Sequence, residues 1–287
     1  MIERKVDLSK NTTYKFGGEA NYFLDFNNKN EEVLEECSAI TNDIYILGNG
    51  SNIAFSDKGY PGLVLKSSNI GIRRMSDETL EVYSGTGMPE ISRYCLLNGF
   101  SGAEFMIGIP GTIGGGLAMN AGAYKTSIYD SGIVDEIFTY NFITQSTKIV
   151  QPSELNTGYR KVEGIEGDYI YKVKLKFNSE SKEVIKARHK DYLTHRKETQ
   201  PSGTYNAGSV FKNPVEASAG ELIDKSGLKG YRLGTVIISN KHANFFVADK
   251  NAKSADLYNL VQYVKEVVDN KFSILLEEEI RFVGDFG

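Results

Sequence analysis

The first residues able to do chemistry are three glycine-rich segments, each placed after an apolar, strand-like run. Gly48-Asn49-Gly50-Ser51-Asn52 follows IYIL (44–47), and Gly85-Thr86-Gly87 follows TLEVYS (79–84). The longest runs Gly108-Ile109-Pro110-Gly111-Thr112-Ile113-Gly114-Gly115-Gly116 and continues into Asn120-Ala121-Gly122-Ala123-Tyr124. Glycine lets a backbone approach a ligand closely, and successive N–H groups turned inward can seat a pyrophosphate. A short Gly-x-Gly is by default a tight turn, which is how Gly85–Gly87 reads on its own. Six glycines within 108–122 exceed what a turn requires. None of the three is a Rossmann fingerprint, since Ile53 stands where Gly48-x-Gly50 would need its third glycine, and the Walker pattern is absent. A nucleotide ligand would therefore be held by another architecture.

The remaining polar candidates are scattered. Tyr159-Arg160 follows a polar stretch, and Gly208-Ser209-Val210-Phe211-Lys212-Asn213-Pro214 packs a hydroxyl, a cation and an amide within five positions. Lys241-His242-Ala243-Asn244 and the triplet Glu277-Glu278-Glu279 complete the set. Taken singly, Ser209 reads as a cap or turn residue and the glutamates as a solvated face. His242 fits a ligand contact or a core donor equally. His189 and His195 lie six apart on a predicted helix, which excludes an i,i+4 metal pair and places both on the solvent side. Cys37 and Cys95 sit in no CxxC and near no histidine, so no metal site and no disulfide is expected, and a reducing compartment is the default.

The elements that must position these residues alternate between strand and helix. Asn30 is a candidate N-cap for a helix over EEVLEECSAI, and Pro89 opens another that ends at Gly99. Apolar runs at 44–47, 62–65 and 79–84 read as strands. Between Tyr169 and Phe177, Tyr171, Val173, Leu175 and Phe177 share one face and Lys172, Lys174 and Lys176 the other, the pattern of a half-exposed antiparallel strand. SESKEVIKARHKDYLTHRKETQP predicts a helix ending before Pro201. After Ser254, Leu257, Leu260, Val261, Val264, Val268 and Phe272 form one helical stripe. ILLEEEIRFVG (274–284) reads as a closing strand. The class is α+β with mixed sheets.

Composition narrows the partners. The 287 residues are 40% hydrophobic and 24% charged, which suits a folded chain of one large domain or of interlocked lobes. Thirty-three basic against 37 acidic side chains give a net charge of −4, which argues against a nucleic-acid binder and against an anionic membrane surface. No apolar leader and no run of 18 apolar residues is present, so a cytoplasmic chain is expected.

The segments NTTYKFGGEANYF (11–23), LGNGSNIAFSDKG (47–59), GAEFMIGIPGTIGGGLAMNAGAY (102–124), AGSVFKNP (207–214), AGELIDKSGLKG (219–230), SNKHANFF (239–246) and LEEEIRFVG (276–284) occur in this order. Together they resemble the UDP-N-acetylenolpyruvoylglucosamine reductase (UDP-N-acetylmuramate dehydrogenase) family over nearly the whole chain. The length, and the absence of an inserted tyrosine-bearing loop, resemble its shorter type II branch. The resemblance implies a PCMH-type (vanillyl-alcohol-oxidase-like) FAD-binding fold over residues 1–178, in lobes of about 1–60 and 61–178, and a C-terminal α+β substrate domain over 179–287. It implies a cytoplasmic monomer making peptidoglycan precursor, with noncovalent FAD, NADPH as co-substrate and UDP-N-acetylglucosamine-enolpyruvate as substrate. Flavin N5 would deliver a hydride to C3 of the enolpyruvyl ether.

The motif matches carry over three catalytic residues: Arg160 for the substrate carboxylate, Ser209 as proton donor to C2, and Glu279 to orient the developing enol. Flavin contacts are expected at Gly48, Asn49, Gly50, Ser51, Asn52, Gly108, Pro110, Gly111, Thr112, Gly114, Gly115, Asn120, Gly122 and Ala123, with no cationic side chain needed. Tyr159, Lys212, Asn213 and His242 are expected at the substrate or nicotinamide cofactor. The chain departs from the family pattern at Val162, where serine is usual after Tyr-Arg, and at Thr235-Val236 and Ala248.

Overall fold

The alternation over Tyr169–Lys176 makes a strand that can be covered on one side and salt-bridged on the other. In the computed structural model, which describes residues 1–27 and 32–287, that strand is the middle of a five-stranded antiparallel sheet. The order is Ser146–Val150, Val134–Asn141, Tyr169–Lys176, Thr79–Tyr83, Ile72–Arg74. Val173 and Leu175 are fully buried on one face. On the other, Lys172 meets Glu81 at 3.3 Å and Lys174 meets Glu136 at 2.6 Å. The second strand signal, Ile44–Leu47, pairs in parallel with Leu63–Lys66 of the strand Tyr60–Ser67.

The chain divides into two compact units built of separate pieces, residues 1–2, 23–49 and 62–196 in the first and 3–22, 50–61 and 197–287 in the second. Among the described residues four α-helices start in the first unit: α1 (Glu32–Ile40), α2 (Met88–Asn98), α3 (Ile113–Ala118) and α4 (Lys182–Thr199). Asn30, the expected cap of α1, lies outside the described residues. α2 ends as expected, with Gly99 in the left-handed conformation at φ 71°. Within the long glycine segment α3 is a short helix: Gly114, Gly115 and Gly116 are helical, behind a Thr112 N-cap whose hydroxyl accepts from Gly115 N. α4 corrects an expectation, because His189 is buried and not on the solvent side, its Nε2 2.9 Å from Ser92 Oγ on α2. His195 is exposed, edge-on to the Tyr124 ring. Few side chains of this polar helix are buried, so specific bonds hold it. Arg188 pairs with Glu104 at 2.7 Å, and Tyr124 stacks on Tyr192 at 4.0 Å.

The second unit contains α5 (Ala219–Lys225) and α6 (Ser254–Phe272). Leu257, Leu260, Val261, Val264 and Val268 of α6 are all fully buried. At about 1.5–3 kcal/mol each, this stripe outweighs any surface ion pair on the helix, so packing fixes it. It shares a core with Tyr14, Phe211, Val236, Ile238 and Phe246. A three-stranded antiparallel sheet, Arg232–Leu233, Val236–Ile238, Phe246–Ala248, lies in this unit. The closing strand is shorter than expected. Only Arg281–Val283 is a strand, parallel to Ile53–Phe55, while 274–279 is irregular. The reason is local: Glu279 N and Ile280 N both donate to the Val210 carbonyl, at 2.8 and 3.2 Å, so a regular ladder cannot advance there. Among the described residues no helix is long and apolar enough to cross a membrane.

Candidate active site

In the first unit the three glycine turns meet at Thr112. A β-carbon built on Gly48 would stand 2.7 Å from Thr112 Oγ1, so only glycine lets the first turn close on the third. Gly87 forms a β-bridge with Thr112, Met88 N donates to Gly111 O at 2.9 Å, and Ile113 N donates to Thr86 O at 2.9 Å. Gly114 N donates to Ser84 O at 2.9 Å, and a Gly114 side chain would meet Ser84 Cβ at 2.7 Å. Ser84 is itself fixed by a buried cluster: its Oγ lies 2.6 Å from Ser67 Oγ and donates to Asn69 Oδ1 at 3.1 Å, and Tyr169 OH joins them. Buried polar networks of this kind hold one geometry when every member is bonded. Gly116 faces Ile128 and Met88, whereas Gly115 is exposed, with only Thr112 Oγ1 near at 3.4 Å. α3 thus packs through two glycines and shows the third to solvent. Pro110 sits in the turn that Gly111 N closes onto Ile109 O at 2.9 Å.

Tyr159-Arg160 forms the tip of a hairpin between Asn156–Gly158 and Lys161–Glu163. Arg160 has φ 55°, an uncommon conformation for a side-chain-bearing residue. Its Nη2 donates to Gly122 O at 2.9 Å and its Nη1 to Asn120 O at 3.3 Å, while its guanidinium lies 5.0 Å from the Tyr159 ring centroid. Asn120 is the buried anchor of this arrangement. It too has positive φ (47°), its Nδ2 donates to Gly158 O at 2.9 Å, and its Oδ1 accepts from Tyr129 N at 3.3 Å. Gly122-Ala123 pairs with Thr126-Ser127 as a short antiparallel ribbon. Tyr159 is exposed. The side-chain amide of Asn120 is therefore spent on positioning the hairpin.

The second unit brings Ser209 and Glu279 onto neighbouring segments. Ser209 bridges Phe245, Phe211 bridges Glu278, and Lys212 N donates to Glu277 O at 2.9 Å. The side chain of buried Asn244 braces this segment, its Oδ1 accepting from Phe211 N at 2.9 Å and its Nδ2 donating to Phe211 O at 2.7 Å. Asn52 Nδ2 donates to Glu279 O at 2.9 Å. Gly50 takes φ 62°, and its carbonyl accepts from Thr13 N at 3.1 Å. Of the first glycine turn, Gly48 and Asn49 thus belong to the first unit and Gly50, Ser51 and Asn52 to the second. Lys212 pairs with Glu277, and Glu278 with Lys265 at 2.8 Å, so two of the three glutamates have ion partners and are not a bare solvated face.

Asn213 is exposed and accepts from Ala219 N at 3.0 Å, at the start of α5. His242 Nδ1 accepts from Asn244 N at 3.2 Å, which leaves the ring proton on Nε2. Burial, with Lys229 nearby, holds the His242 pKa below the usual histidine range. Arg160 belongs to the first unit, Ser209 and Glu279 to the second. The bonding of Asn244 could not be foreseen, because its partner lies 33 positions away.

Residues 28–151 match the model of an FAD binding domain, and residues 200–283 that of the UDP-N-acetylenolpyruvoylglucosamine reductase C-terminal domain. The chain is 36% identical over 293 residues to the UDP-N-acetylenolpyruvoylglucosamine reductase of Acaryochloris marina, covering 99% of this chain and 94% of the relative. The chain belongs to the UDP-N-acetylenolpyruvoylglucosamine reductase family. The family member of Chlamydia felis is 35% identical over 98% of this chain. The crystal structure of the Thermus caldophilus enzyme superposes with a TM-score of 0.83 at 31% identity, covering 99% of both chains. The expected class holds in its coarser form: an α+β oxidoreductase of this family with an FAD binding domain. The match of the FAD-binding model spans all three glycine turns.

Proposed function

We propose that this protein reduces the enolpyruvyl ether of UDP-N-acetylglucosamine-enolpyruvate to UDP-N-acetylmuramate, a precursor of peptidoglycan, at the expense of NADPH. The observation that carries the reading is the meeting of three glycine turns at Thr112 inside a matched FAD-binding domain. The residues fit the cofactor. Gly115 leaves its backbone open on the exposed side of α3, Gly48 closes on Thr112, and no histidine or cysteine lies in 48–52 or 108–116 to anchor a flavin covalently. Gly48, Asn49, Gly108, Pro110, Gly111, Thr112, Gly114 and Gly115 would hold the flavin nucleotide. Bound FAD, once reduced by NADPH, would supply the hydride for C3 of the enolpyruvyl group.

The chain's own residues do the rest. Hydride addition pushes charge toward the substrate carboxylate, and Arg160 is a permanently charged donor set for it. Two of its N–H groups are oriented by the carbonyls of Asn120 and Gly122, which fixes the plane of the guanidinium. Ser209 would hand its proton to C2, and a serine suffices because a carbanion there is far more basic than a carboxylate. Lys212, ion-paired with Glu277, stands three residues on and would ease loss of that proton electrostatically. Glu279, its backbone fixed by Val210 and Asn52, would orient the developing enol.

Anaerobic stopped-flow absorbance of the flavin separates the two half-reactions. Ser209→Ala should leave reduction by NADPH within a few-fold of wild type and slow reoxidation by the enolpyruvyl substrate by about 10²–10⁴-fold. Equal slowing of both halves would make Ser209 a structural residue, and a wild-type protein that takes up no FAD would sink the whole reading.

A further inference from the structure

Arg160 lies on the Asn120–Gly122 end of the long glycine stretch, and a second cationic side chain is folded onto its beginning. Arg196, in the last turn of α4, lies against Gly108: a β-carbon built there would stand 2.9 Å from Arg196 Cδ, 3.5 Å from Nη1 and 3.7 Å from Nε. Glycine at 108 is what lets the arm of Arg196 lie against this backbone. At the far end of the same stretch stands Tyr124, stacked on Tyr192 of α4 at 4.0 Å. Tyr124 is neutral at pH 7 and spends its hydroxyl on Tyr192 O at 2.6 Å.

Among the described residues no carboxylate lies within ion-pair distance of Arg196. Its helix neighbour Arg188 is different, paired with Glu104 at 2.7 Å. Arg196 is half-buried; a guanidinium partly drawn from water without a counter-charge is costly, and such groups persist where a ligand supplies the charge. Burial accordingly lowers the Arg196 pKa from its ordinary value.

We infer that Arg196 is a further flavin-binding residue, which sets its guanidinium against an anionic part of the FAD held at Gly108–Thr112. This rests on the proposed function and adds the cation that the glycine turns themselves lack. The charge it meets has two possible sources on one ligand: the diphosphate, or the pyrimidine edge of the ring once reduced.

The test uses full-length protein stripped of flavin, with Arg196→Met, Arg196→Lys and, as a control on the outer face of α4, Lys190→Gln. Titration with oxidised FAD and with riboflavin is followed by flavin fluorescence, and the midpoint potential of the bound flavin is measured. If the diphosphate is the partner, Arg196→Met should bind oxidised FAD roughly 10–100-fold more weakly. Riboflavin binding should then be unchanged, and Arg196→Lys should recover part of the loss. If the reduced ring is the partner, affinity for oxidised FAD is kept and the potential falls by about 30 mV for each tenfold loss of reduced-flavin binding. Should Arg196→Met lose its helical circular dichroism, Arg196→Gln replaces it. Wild-type affinity and potential in a folded Arg196→Met overturn the inference and leave the proposed function standing. A wild-type protein without affinity for FAD overturns both.

Discussion

Gly115 and Gly114 are neighbours on α3, and their substitution by alanine should have opposite effects. The added carbon at Gly115 would meet only Thr112 Oγ1, at 3.4 Å, on an exposed face. Alanine replaces a poor helix former there, so the flavin-free protein should gain up to about 1 kcal/mol. The same carbon at Gly114 would stand 2.7 Å from Ser84 Cβ and 3.2 Å from Ser84 O, inside the buried serine cluster. Overpacking of that kind costs about 1–3 kcal/mol. If the open backbone of Gly115 faces the flavin nucleotide, its variants should bind FAD more weakly although they fold better. The crowding of one methyl, taken again as about 1–3 kcal/mol, corresponds to roughly a 5–150-fold rise in Kd, and valine should exceed alanine. Thermal melts of the flavin-free proteins and fluorescence titrations with FAD give the two numbers separately. Wild-type FAD affinity in Gly115→Val would refute the placement of the cofactor at α3. A destabilised Gly115→Ala would refute the reading of its packing.

Three further outcomes are expected. Asn120→Ala removes the bonds to Gly158 O and from Tyr129 N, and leaves at φ 47° a residue that tolerates the left-handed region less well than asparagine. It should cost about 2–4 kcal/mol in a denaturant melt, and the survivors should show weakened kcat/KM more than weakened FAD binding. His189 is buried with its pKa held below the histidine range, chiefly by desolvation, with Glu104 opposing the shift and Arg93 adding to it. The unfolded chain therefore takes up the proton first, and stability present above about pH 6.5 is lost as pH falls below it. His189→Asn should flatten the Tm profile between pH 7 and 5, leaving the slope due to His242, and an unchanged slope would contradict this. Tyr14 OH donates to Phe246 O at 3.0 Å in the second core. Tyr14→Phe should cost about 1–2 kcal/mol, read as a shift in urea midpoint at constant m-value.

What the sequence made legible was whatever is local. The stripe on α6, the alternation at 169–176 and the Pro and Gly bounds of α2 are each set by residues within a turn or two of one another, and all three appear as expected. His189 was misplaced because its partner, Ser92, is 97 positions away on another helix. The glycine count did not show that 113–116 is helical: Thr112 caps the segment, and Ser84, Ile128 and Met88 press on Gly114 and Gly116 so closely that glycine lets the helix pack there. Glutamates 277–279 looked like part of a strand, and two N–H groups sharing the Val210 carbonyl break it. Contiguous boundaries drawn along the chain also could not show that residues 3–22 and 50–61 join a unit completed only after residue 197.

That discontinuity has a cost in time while the chain is being made. Ile53–Phe55 must wait for Arg281–Val283, more than two hundred residues later. At about 5–20 residues per second the wait is roughly ten to forty-five seconds. Tyr14, Phe16 and Ala54 leave the ribosome early, but the side chains that bury them, from Ala207 to Ile280, emerge last. The five-stranded sheet, by contrast, has all its strands by Lys176 and can close first. Nascent chains stalled beyond residue 200 should therefore hold a protease-resistant core with a greasy, cleavable N-terminal arm, and that arm is where a chaperone would be recruited.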